Sequence, residues 1–475
     1  MSRADLAWRA YALVAAALAL VAIGGWLWAI AMGGPILYGE GAVAHAALLA
    51  RDRLEYTSGA GIGDVAPLFT AANYPPLYFH LAGIGEPFVT GRVISAAAGF
   101  FVAGAIAWRA RAAGWLAALT LALAWLGSAP VLQWGSAVKP DLLALGLTVA
   151  AVVGLDRTRP RHGLAGALLG AAAMAKPTAL LPAAAIFIFV SRRDLRGAAR
   201  ATVALVLAAL AVAFVTHGPE GGALTHIVVW NQLPWRVELG SALVLVALLV
   251  LIVPLVTIAL SRPSTTVVTA YAAGAVGILL LGGREGATIN YFLDLSAAVA
   301  LALAGRAPLI ARGAAYPVAA IAQGLFTFAL LNPFVGVPSL LQPTGKWGAP
   351  DRIAYVRGSM PGIVLIEDSG LLLANGREPI VDDLFLWSRL RASGRPFPEG
   401  DRVLDAVRGG VFDLVVTEVD LSNMDTAPGF ERQRWHPDLI AAVLERYERR
   451  PPFVFGLCPG GVWCQQLFVY TRRSP

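Results

Sequence analysis

Long runs of hydrophobic residues recur along the chain from about residue 10 to about residue 332, and shorter alternating runs follow them. A helix that crosses the roughly 30 Å hydrocarbon layer of a bilayer needs about 20 mostly apolar residues. The first part of the chain therefore predicts about eleven transmembrane helices. After about residue 345, short hydrophobic runs alternate with polar stretches, which predicts a small α/β domain. Its predicted strands are Ile363–Ile366, Phe412–Thr417, Phe453–Leu457 and Gln466–Tyr470, and its predicted helices lie around Asp401–Arg408 and His436–Arg449.

Composition supports a polytopic membrane protein and excludes a soluble globular chain. Hydrophobic residues make up 57% of the sequence and charged residues only 14%. The net charge of +7 comes mostly from arginines in short loops between hydrophobic runs. This excess is expected to orient the chain in the membrane, and it does not indicate a nucleic-acid partner.

The positions of the arginines predict the topology, because cytoplasmic loops collect positive charge. They place the N-terminus in the cytoplasm and the C-terminal domain in the periplasm of a bacterial inner membrane. Only about 30 residues separate the clusters that end at Arg161 and begin at Arg192, which predicts two short helices with Lys176 at the outer turn. The predicted organisation is a transmembrane domain (1–335) with a large first periplasmic loop (33–90), followed by a soluble domain (345–475).

The first outer loop contains Glu40 and the aromatic segment Tyr74-Pro75-Pro76-Leu77-Tyr78-Phe79-His80. A carboxylate just beyond the end of a first helix lies within reach of a lipid-borne substrate at the membrane surface. Glu40 is therefore the candidate catalytic residue, acting on a sugar. An interfacial acid or a helix cap is the alternative, and Tyr74 before the two prolines also suits a rigid turn.

The three lysines of the chain, Lys139, Lys176 and Lys346, all fall on the predicted outer side. Lys139 and Lys176 each precede a proline at the end of a short helix, where an ammonium can hold an anionic lipid headgroup. Arg92 belongs to the same layer, so these three cations are candidates for binding a phosphate. Asp141 suits either a substrate contact or an ion pair with Lys139.

These motifs resemble the membrane-embedded GT-C glycosyltransferases that use polyprenyl-phosphate sugars, such as aminoarabinose transferases and protein O-mannosyltransferases. The resemblance covers residues 1 to about 335. It rests on the order of the motifs, which are Tyr38-Gly39-Glu40, Tyr74-Pro75-Pro76, Gly91-Arg92, Lys139-Pro140-Asp141, Ala175-Lys176-Pro177 and Asn290-Tyr291-Phe292. Many relatives carry a second acid at the first motif, where Gly39 stands here, so the use of a divalent cation stays open.

The resemblance implies transfer of a sugar from a polyprenyl-phosphate donor to a hydroxyl group of a glycan, lipid or protein, with inversion of configuration. Glu40 is expected to accept the proton from the hydroxyl, and Lys139, Lys176 and Arg92 to stabilise the departing phosphate. Tyr74, Tyr78 and His80 are expected to form a wall for the sugar. Asp141, Asn290 and Tyr291 complete the expected substrate site, with a structural role for Asn290 and Tyr291 as the alternative.

The two cysteines, Cys458 and Cys464, flank a Pro-Gly-Gly turn between the last two predicted strands. In an oxidising periplasm this arrangement favours a hairpin disulfide, and a pair of unbonded thiols is the alternative. Two such ligands are too few to predict zinc. The sequence does not decide whether the C-terminal domain positions the acceptor or covers the site.

Two other classes of protein fit the hydrophobic pattern. A lipid or solute transporter would have many spans, but transporters tend to show inverted repeats and ionisable groups near the midplane, which this sequence lacks. A noncatalytic membrane scaffold with a soluble binding domain is the second alternative. The sequence has no phosphate-binding loop, so an energy source from cytoplasmic nucleotides is not expected. No cofactor is certain from the sequence, a divalent cation is possible, and the sugar and acceptor are not specified.

Overall fold

The computed structural model describes residues 2–56, 67–216, 222–261, 265–331, 349–394, 398–427, 429–455 and 465–473. Lys346, Cys458 and Cys464 lie outside the described residues, as does the boundary placed between residues 335 and 345. The predicted disulfide therefore stays a prediction.

The first part of the chain is helical. Its helices are α1 (Arg3–Met32), α2 (Glu40–Leu49), α3 (Pro76–Gly83), α4 (Pro87–Ala110), α5 (Trp115–Leu126), α6 (Ala129–Trp134), α7 (Asp141–Leu155), α8 (His162–Ala175), α9 (Leu180–Ser191), α10 (Leu195–Val215), α11 (Val237–Leu260), α12 (Val267–Leu280), α13 (Leu293–Ala304), α14 (Ala307–Ile310) and α15 (Ala315–Leu331). Within the described ranges, four helices are long and apolar enough to cross a membrane, and seven shorter apolar helices accompany them. The chain is a membrane protein, and the number of crossings stays a prediction.

Exposed hydrophobic side chains cover the outside of the helical part. Leu13, Phe214 and Leu260 are 74%, 82% and 83% exposed. An apolar surface of this extent would be unfavourable in water and suits contact with lipid. On its inner face α1 buries Ala15, Ala19 and other small residues, which let neighbouring helices approach closely.

The chain breaks between α8 and α9 at Lys176, where the sequence predicted a turn. Lys176 is extended, with φ −149° and ψ 123°, because the ring of Pro177 disfavours helical geometry in the preceding residue. A short 3₁₀ turn, Pro177–Ala179, then leads into α9. The break lifts the ammonium group out of a regular helix and turns it toward the ends of the neighbouring helices.

The last part of the chain contains a sheet flanked by helices. Its elements are α16 (Ala349–Ser359), β1 (Val364–Ile366), α17 (Gly370–Leu373), α18 (Leu384–Ala392), α19 (Pro398–Arg408), β2 (Leu414–Thr417), α20 (Gly429–Arg432), α21 (Pro437–Arg446), β3 (Tyr447–Arg449), β4 (Phe453–Phe455) and β5 (Gln465–Arg472). The strand order is β1-β2-β5-β3, and β4 also pairs with β5. Strands β1 and β2 are parallel, and the other pairs are antiparallel.

Strands lie at the segments that the sequence predicted, but the helix predicted from His436 to Arg449 ends at Arg446. Residues Tyr447–Arg449 instead form β3, with Glu448 opposite Thr471 of β5. Tyr447 is buried and the next two residues are exposed, so the segment gains more from covering one face of the sheet than from extending the helix.

Backbone pairing joins the first loop to the last part of the chain. The amide of Leu68 donates to the carbonyl of Ile380 at 2.8 Å, and Phe69 and Val381 form a parallel bridge. The amide of Ala71 donates to Asp382 Oδ1 at 2.8 Å, and the other carboxylate oxygen of Asp382 lies 2.9 Å from His45 Nδ1 on α2. These bonds hold residues 380–386 beside the loop that carries the predicted catalytic residue.

Candidate functional site

A cavity of about 160 Å³ opens where the first loop, the ends of several helices and the segment before α18 meet. Its lining combines cations, aromatic rings and polar side chains. Of the ten predicted substrate and catalytic residues, the structure brings five to this lining, namely Tyr74, Lys139, Lys176, Asn290 and Tyr291. The other five, Glu40, Arg92, Tyr78, His80 and Asp141, do not line it.

Lys176 enters the cavity from the break after α8. Its Nζ lies 2.5 Å from Asp141 Oδ1 and 4.9 Å from the ring centre of Tyr291. Asn290 Nδ2 donates to the same carboxylate oxygen at 2.7 Å. Asp141 therefore pairs with Lys176, and not with Lys139 as the sequence suggested, because the helix break brings Lys176 to the start of α7. The pair holds Lys176 and Asn290 in fixed positions on one wall.

Lys139 belongs to the loop that precedes α7 and also lines the cavity. Its Nζ donates to the carbonyl of Gly39 at 2.7 Å. Gly39 has φ +76°, and a Cβ atom there would lie 3.1 Å from the Lys139 ammonium. A glycine permits this left-handed turn and the close approach of the lysine. The contact leaves the ammonium with further donor capacity toward the cavity.

Arg284 is a third cation of the lining, and the sequence analysis did not select it. Its Nη1 donates to the carbonyl of Asn231 at 2.8 Å, and its Nη2 donates to the hydroxyl of Tyr291 at 2.8 Å. The sequence does carry a weak signal for Arg284. It and Glu285 are two adjacent charged residues in a mostly hydrophobic region, a few positions before Asn290. Three fixed cations thus surround one open volume.

Glu40 begins α2 behind the cavity wall, and the side chain is fully buried. Its Oε1 accepts from the amide of Val138 at 2.7 Å, and its Oε2 accepts from the amides of Ile36 and Leu37 at 2.7 and 3.0 Å. Arg92 donates to Oε2 at 3.0 Å. The carboxylate therefore fastens the turn before α2 to the segment that carries Lys139.

Arg92 is also fully buried, and the cavity does not reach it. Besides Glu40, its guanidinium donates to the carbonyls of Ala29, Gly34 and Ser136 at 2.8, 2.6 and 2.9 Å. Four bonds to protein groups use most of its five donors. In this arrangement the side chain ties α1, α4 and the turn before α7 together.

The two remaining aromatic candidates also lie away from the cavity. The hydroxyl of Tyr78 donates to the carbonyl of Gly91 at 3.3 Å, and the side chain is fully buried. His80 Nε2 lies 3.0 Å from Glu55 Oε1. By contrast, Tyr74 lines the cavity, and its carbonyl accepts from the hydroxyl of Tyr56 at 2.7 Å.

The last part of the chain contributes Asp383, Phe385 and Leu386 to the lining. Tyr38 of the first loop reaches them, because the amide of Phe385 donates to its hydroxyl at 2.9 Å. Burial, together with the nearby Asp383 carboxylate, raises the pKa of Tyr38 well above its ordinary value, so the phenol keeps its proton and donates to Asp383 Oδ1 at 3.3 Å. The ring of Tyr38 also lies 3.9 Å from the guanidinium carbon of Arg434.

A second contact joins the helical part to the last part of the chain. Glu285 is fully buried, and Arg389 of α18 lies 2.6 Å from its Oε2 while Arg236 lies 2.5 Å from its Oε1. Among the residues that the structure describes, no group of three or more His, Cys, Asp or Glu side chains is placed to hold a metal ion. Within the described residues, the charged side chains of the cavity lining are those of Lys139, Lys176, Arg284, Glu285 and Asp383.

The apolar helices are those of a membrane protein, and a cavity lined by cations, aromatic rings and polar side chains lies at their ends. No protein-family profile and no curated protein sequence matches the chain. The structure does match that of ArnT from Cupriavidus metallidurans in the apo state, with a TM-score of 0.58 and 16% identity, covering 95% of this chain and 96% of that one.

ArnT from the same organism bound to undecaprenyl phosphate aligns with a TM-score of 0.55 and 15% identity, over 95% of this chain and 97% of that one. An oligosaccharyltransferase from Archaeoglobus fulgidus in the apo form aligns with a TM-score of 0.46 and 13% identity, over 94% and 74%. The chain therefore has the fold of ArnT, and the resemblance stated from the sequence is confirmed at the level of the fold.

Proposed function

We propose that this protein is a membrane glycosyltransferase that moves a sugar from a polyprenyl-phosphate donor to a hydroxyl acceptor on the outer side of the membrane. The observation that carries the proposal is the convergence of Lys139, Lys176 and Arg284 on one cavity at the helix ends, in a chain with the fold of ArnT. The ArnT structure bound to undecaprenyl phosphate supports the class of donor.

The cations suit the leaving group of this reaction. When the bond between the anomeric carbon and the phosphate oxygen breaks, negative charge grows on the phosphate. Fixed cations in a partly dehydrated cavity stabilise that charge more strongly than they would in water. Lys176 is held by Asp141 and Arg284 by Tyr291 and Asn231, so both are positioned before a ligand arrives. Such preorganisation lowers the cost of stabilising the transition state.

The aromatic and amide side chains suit the sugar. Tyr74 and Tyr291 present rings to the cavity, and Asn290 offers an amide beside Lys176. Rings pack against the apolar faces of a pyranose, while amides bond to its hydroxyl groups. The proposal thus keeps Tyr74, Asn290 and Tyr291 as sugar-binding residues. Tyr78, His80 and Arg92 fit a supporting role in the proposal, because each is bonded to protein groups behind the wall.

The location follows the same proposal. The cytoplasmic N-terminus, the periplasmic C-terminal domain and the bacterial inner membrane rest on the arginine distribution, and the acceptor is a glycan, lipid or protein of the cell envelope. A transporter would also have many helices, but the fold and the outer cavity favour transfer. Inversion at the anomeric carbon and the identity of the sugar belong to the proposal and await measurement.

The test is donor turnover by the purified full-length protein. A panel of undecaprenyl-phosphate sugars, each labelled in the sugar, is incubated with envelope lipids and glycans, and the released undecaprenyl phosphate and labelled product are separated by chromatography. We expect turnover with at least one donor and loss of it in Lys176→Met. Arg402→Met, which removes an exposed cation of α19 that does not line the cavity, is the matched control. No turnover with any donor would refute the proposal.

A further inference from the structure

Asp383 places a carboxylate at the cavity from a part of the chain that the sequence motifs did not reach. The residue precedes α18, and its Oδ1 caps that helix by accepting from the amide of Leu386 at 3.0 Å. The same oxygen accepts from the hydroxyl of Tyr38. The side chain is 9% exposed, and in the part of the chain that the structure describes no group donates a hydrogen bond to Oδ2.

The remaining carboxylates near the cavity are engaged by protein groups. Both oxygens of Glu40 accept backbone amides, and Arg92 adds an ion pair. Asp141 faces Lys176 and Asn290 through one oxygen, and its second oxygen is buried away from the lining. Glu285 lines the cavity but is enclosed and paired with two arginines. Of these four acids, within the described residues, Asp383 alone combines a place in the lining with an oxygen that neither a hydrogen-bond donor nor an arginine engages.

The position of Asp383 is fixed by long-range contacts. Its neighbour Asp382 is bonded to Ala71 and His45, and residues 380–382 pair with residues 68–71. Tyr38 and the helix amide then orient the carboxylate itself. A catalytic group needs such support, because small displacements from the reacting atom lower the rate strongly.

Its surroundings also suit proton transfer near neutral pH. Burial raises the pKa of Asp383 to about 6, and the charge of Asp382 adds to this, while the amide of Leu386, Lys139 and Tyr38 act in the opposite direction. The ionisable side chains that face Asp383 or share the cavity with it are Tyr38, Tyr74, Lys139, Lys176, Arg284, Glu285, Tyr291 and Asp382.

We propose that Asp383 is the general base of the transfer, an inference that rests on the proposed function. The acceptor hydroxyl attacks the anomeric carbon of the donor, forming the new glycosidic bond while the bond from that carbon to the phosphate oxygen breaks. The phosphate leaves with the bonding electron pair toward the cations, and the hydroxyl proton passes to Asp383 Oδ2. Glu40 and Arg92 act as positioning residues that hold the turn carrying Lys139.

The experiment compares Asp383→Asn, Glu40→Gln and the control Asp405→Asn in the donor-turnover assay. Asp405 is an exposed acid of α19 in the same part of the chain and does not line the cavity. We expect Asp383→Asn to lower kcat by about 100-fold or more, the range that general bases supply, while binding of undecaprenyl phosphate changes less than about twofold. Wild-type kcat should rise with pH until about 6 and then level off.

The variants separate the two proposals. Wild-type turnover with an unaffected Asp383→Asn variant would overturn the base assignment and leave the proposed function intact, whereas absence of wild-type turnover would refute the function itself. If the rise of kcat with pH disappears in Glu40→Gln but remains in Asp383→Asn, the base is Glu40 instead. If Asp383→Asn loses thermal stability and donor binding in parallel with rate, Asp383 is structural. In that case Asp383→Glu, which keeps the carboxylate, should restore thermal stability, donor binding and rate together.

Discussion

The ion pair between Arg92 and Glu40 allows a quantitative prediction that separates a structural role from phosphate binding. Arg92→Met removes the guanidinium and leaves Glu40 with three backbone amides but no opposite charge, in a place without solvent. It also leaves the carbonyls of Ala29, Gly34 and Ser136 without their donor.

Breaking a buried pair by removing one partner typically costs about 3–5 kcal/mol of folding free energy. For a chain of this length that corresponds to a fall of about 3–5 °C in the apparent Tm, since the unfolding entropy scales with the number of residues. The double variant Glu40→Gln/Arg92→Met removes the stranded charge. The folding free energy lost in this double variant should be smaller than the sum of the losses in Glu40→Gln and Arg92→Met by about 0.5–3 kcal/mol.

Thermal unfolding of the detergent-purified protein measures the stability lost in Arg92→Met and the coupling in the double variant. Arg402→Met is the surface control, and its folding free energy should lie within about 0.5 kcal/mol of the wild type. Binding of undecaprenyl phosphate is measured on the same samples at a temperature where every variant is folded. A structural role predicts lower Tm with little change in Kd. A Tm equal to that of the control together with much weaker binding would refute this reasoning and restore Arg92 as a phosphate ligand.

Three further predictions concern the cavity and the sheet-containing part. Lys139→Met and Lys176→Met should each weaken undecaprenyl phosphate binding by about tenfold or more in a titration, because each removes a desolvated charge-assisted contact worth about 1.5–3 kcal/mol, while Arg402→Met should not. Gly39→Ala should cost about 1–2 kcal/mol in thermal unfolding and reduce donor turnover, because it strains a left-handed turn next to the Lys139 ammonium. Burial raises the pKa of Glu431 from 4.5 to about 7, so its protonated form is favoured in the folded state and stability should fall as pH rises from about 4.5 to 7. The Tm of Glu431→Gln should vary less over that interval, and an unchanged pH profile would contradict the assignment.

Local sequence patterns predicted the structure correctly where the conformation depends on neighbouring residues alone. The proline after Lys176 and the basic clusters on either side predicted the helix break, and the break is present because the proline acts on its immediate neighbour. The convergence of Lys139 and Lys176 on one cavity followed from their shared position at helix ends. These features need no information about distant residues.

Patterns failed where the partner lies far along the chain. The sequence shows a carboxylate at Glu40 but not that Arg92, 52 residues later, and Val138, 98 residues later, enclose it. Asp383 had no local signal, because a pair of aspartates before a helix usually serves as a cap and faces water. Only the pairing of residues 68–71 with 380–382 brings it to the cavity.

That pairing has a consequence for protein engineering. The segment around Phe69 and the segment around Val381 pair with each other through backbone hydrogen bonds and through the Asp382 side chain. In a chimera that joins these helices to the sheet-containing part of another protein with this fold, the two segments would not match, and the cavity wall carrying Asp383 would shift. A chimera should therefore keep an intact cavity when both segments are taken from the same parent protein. It should lose the cavity when the two segments come from different parents.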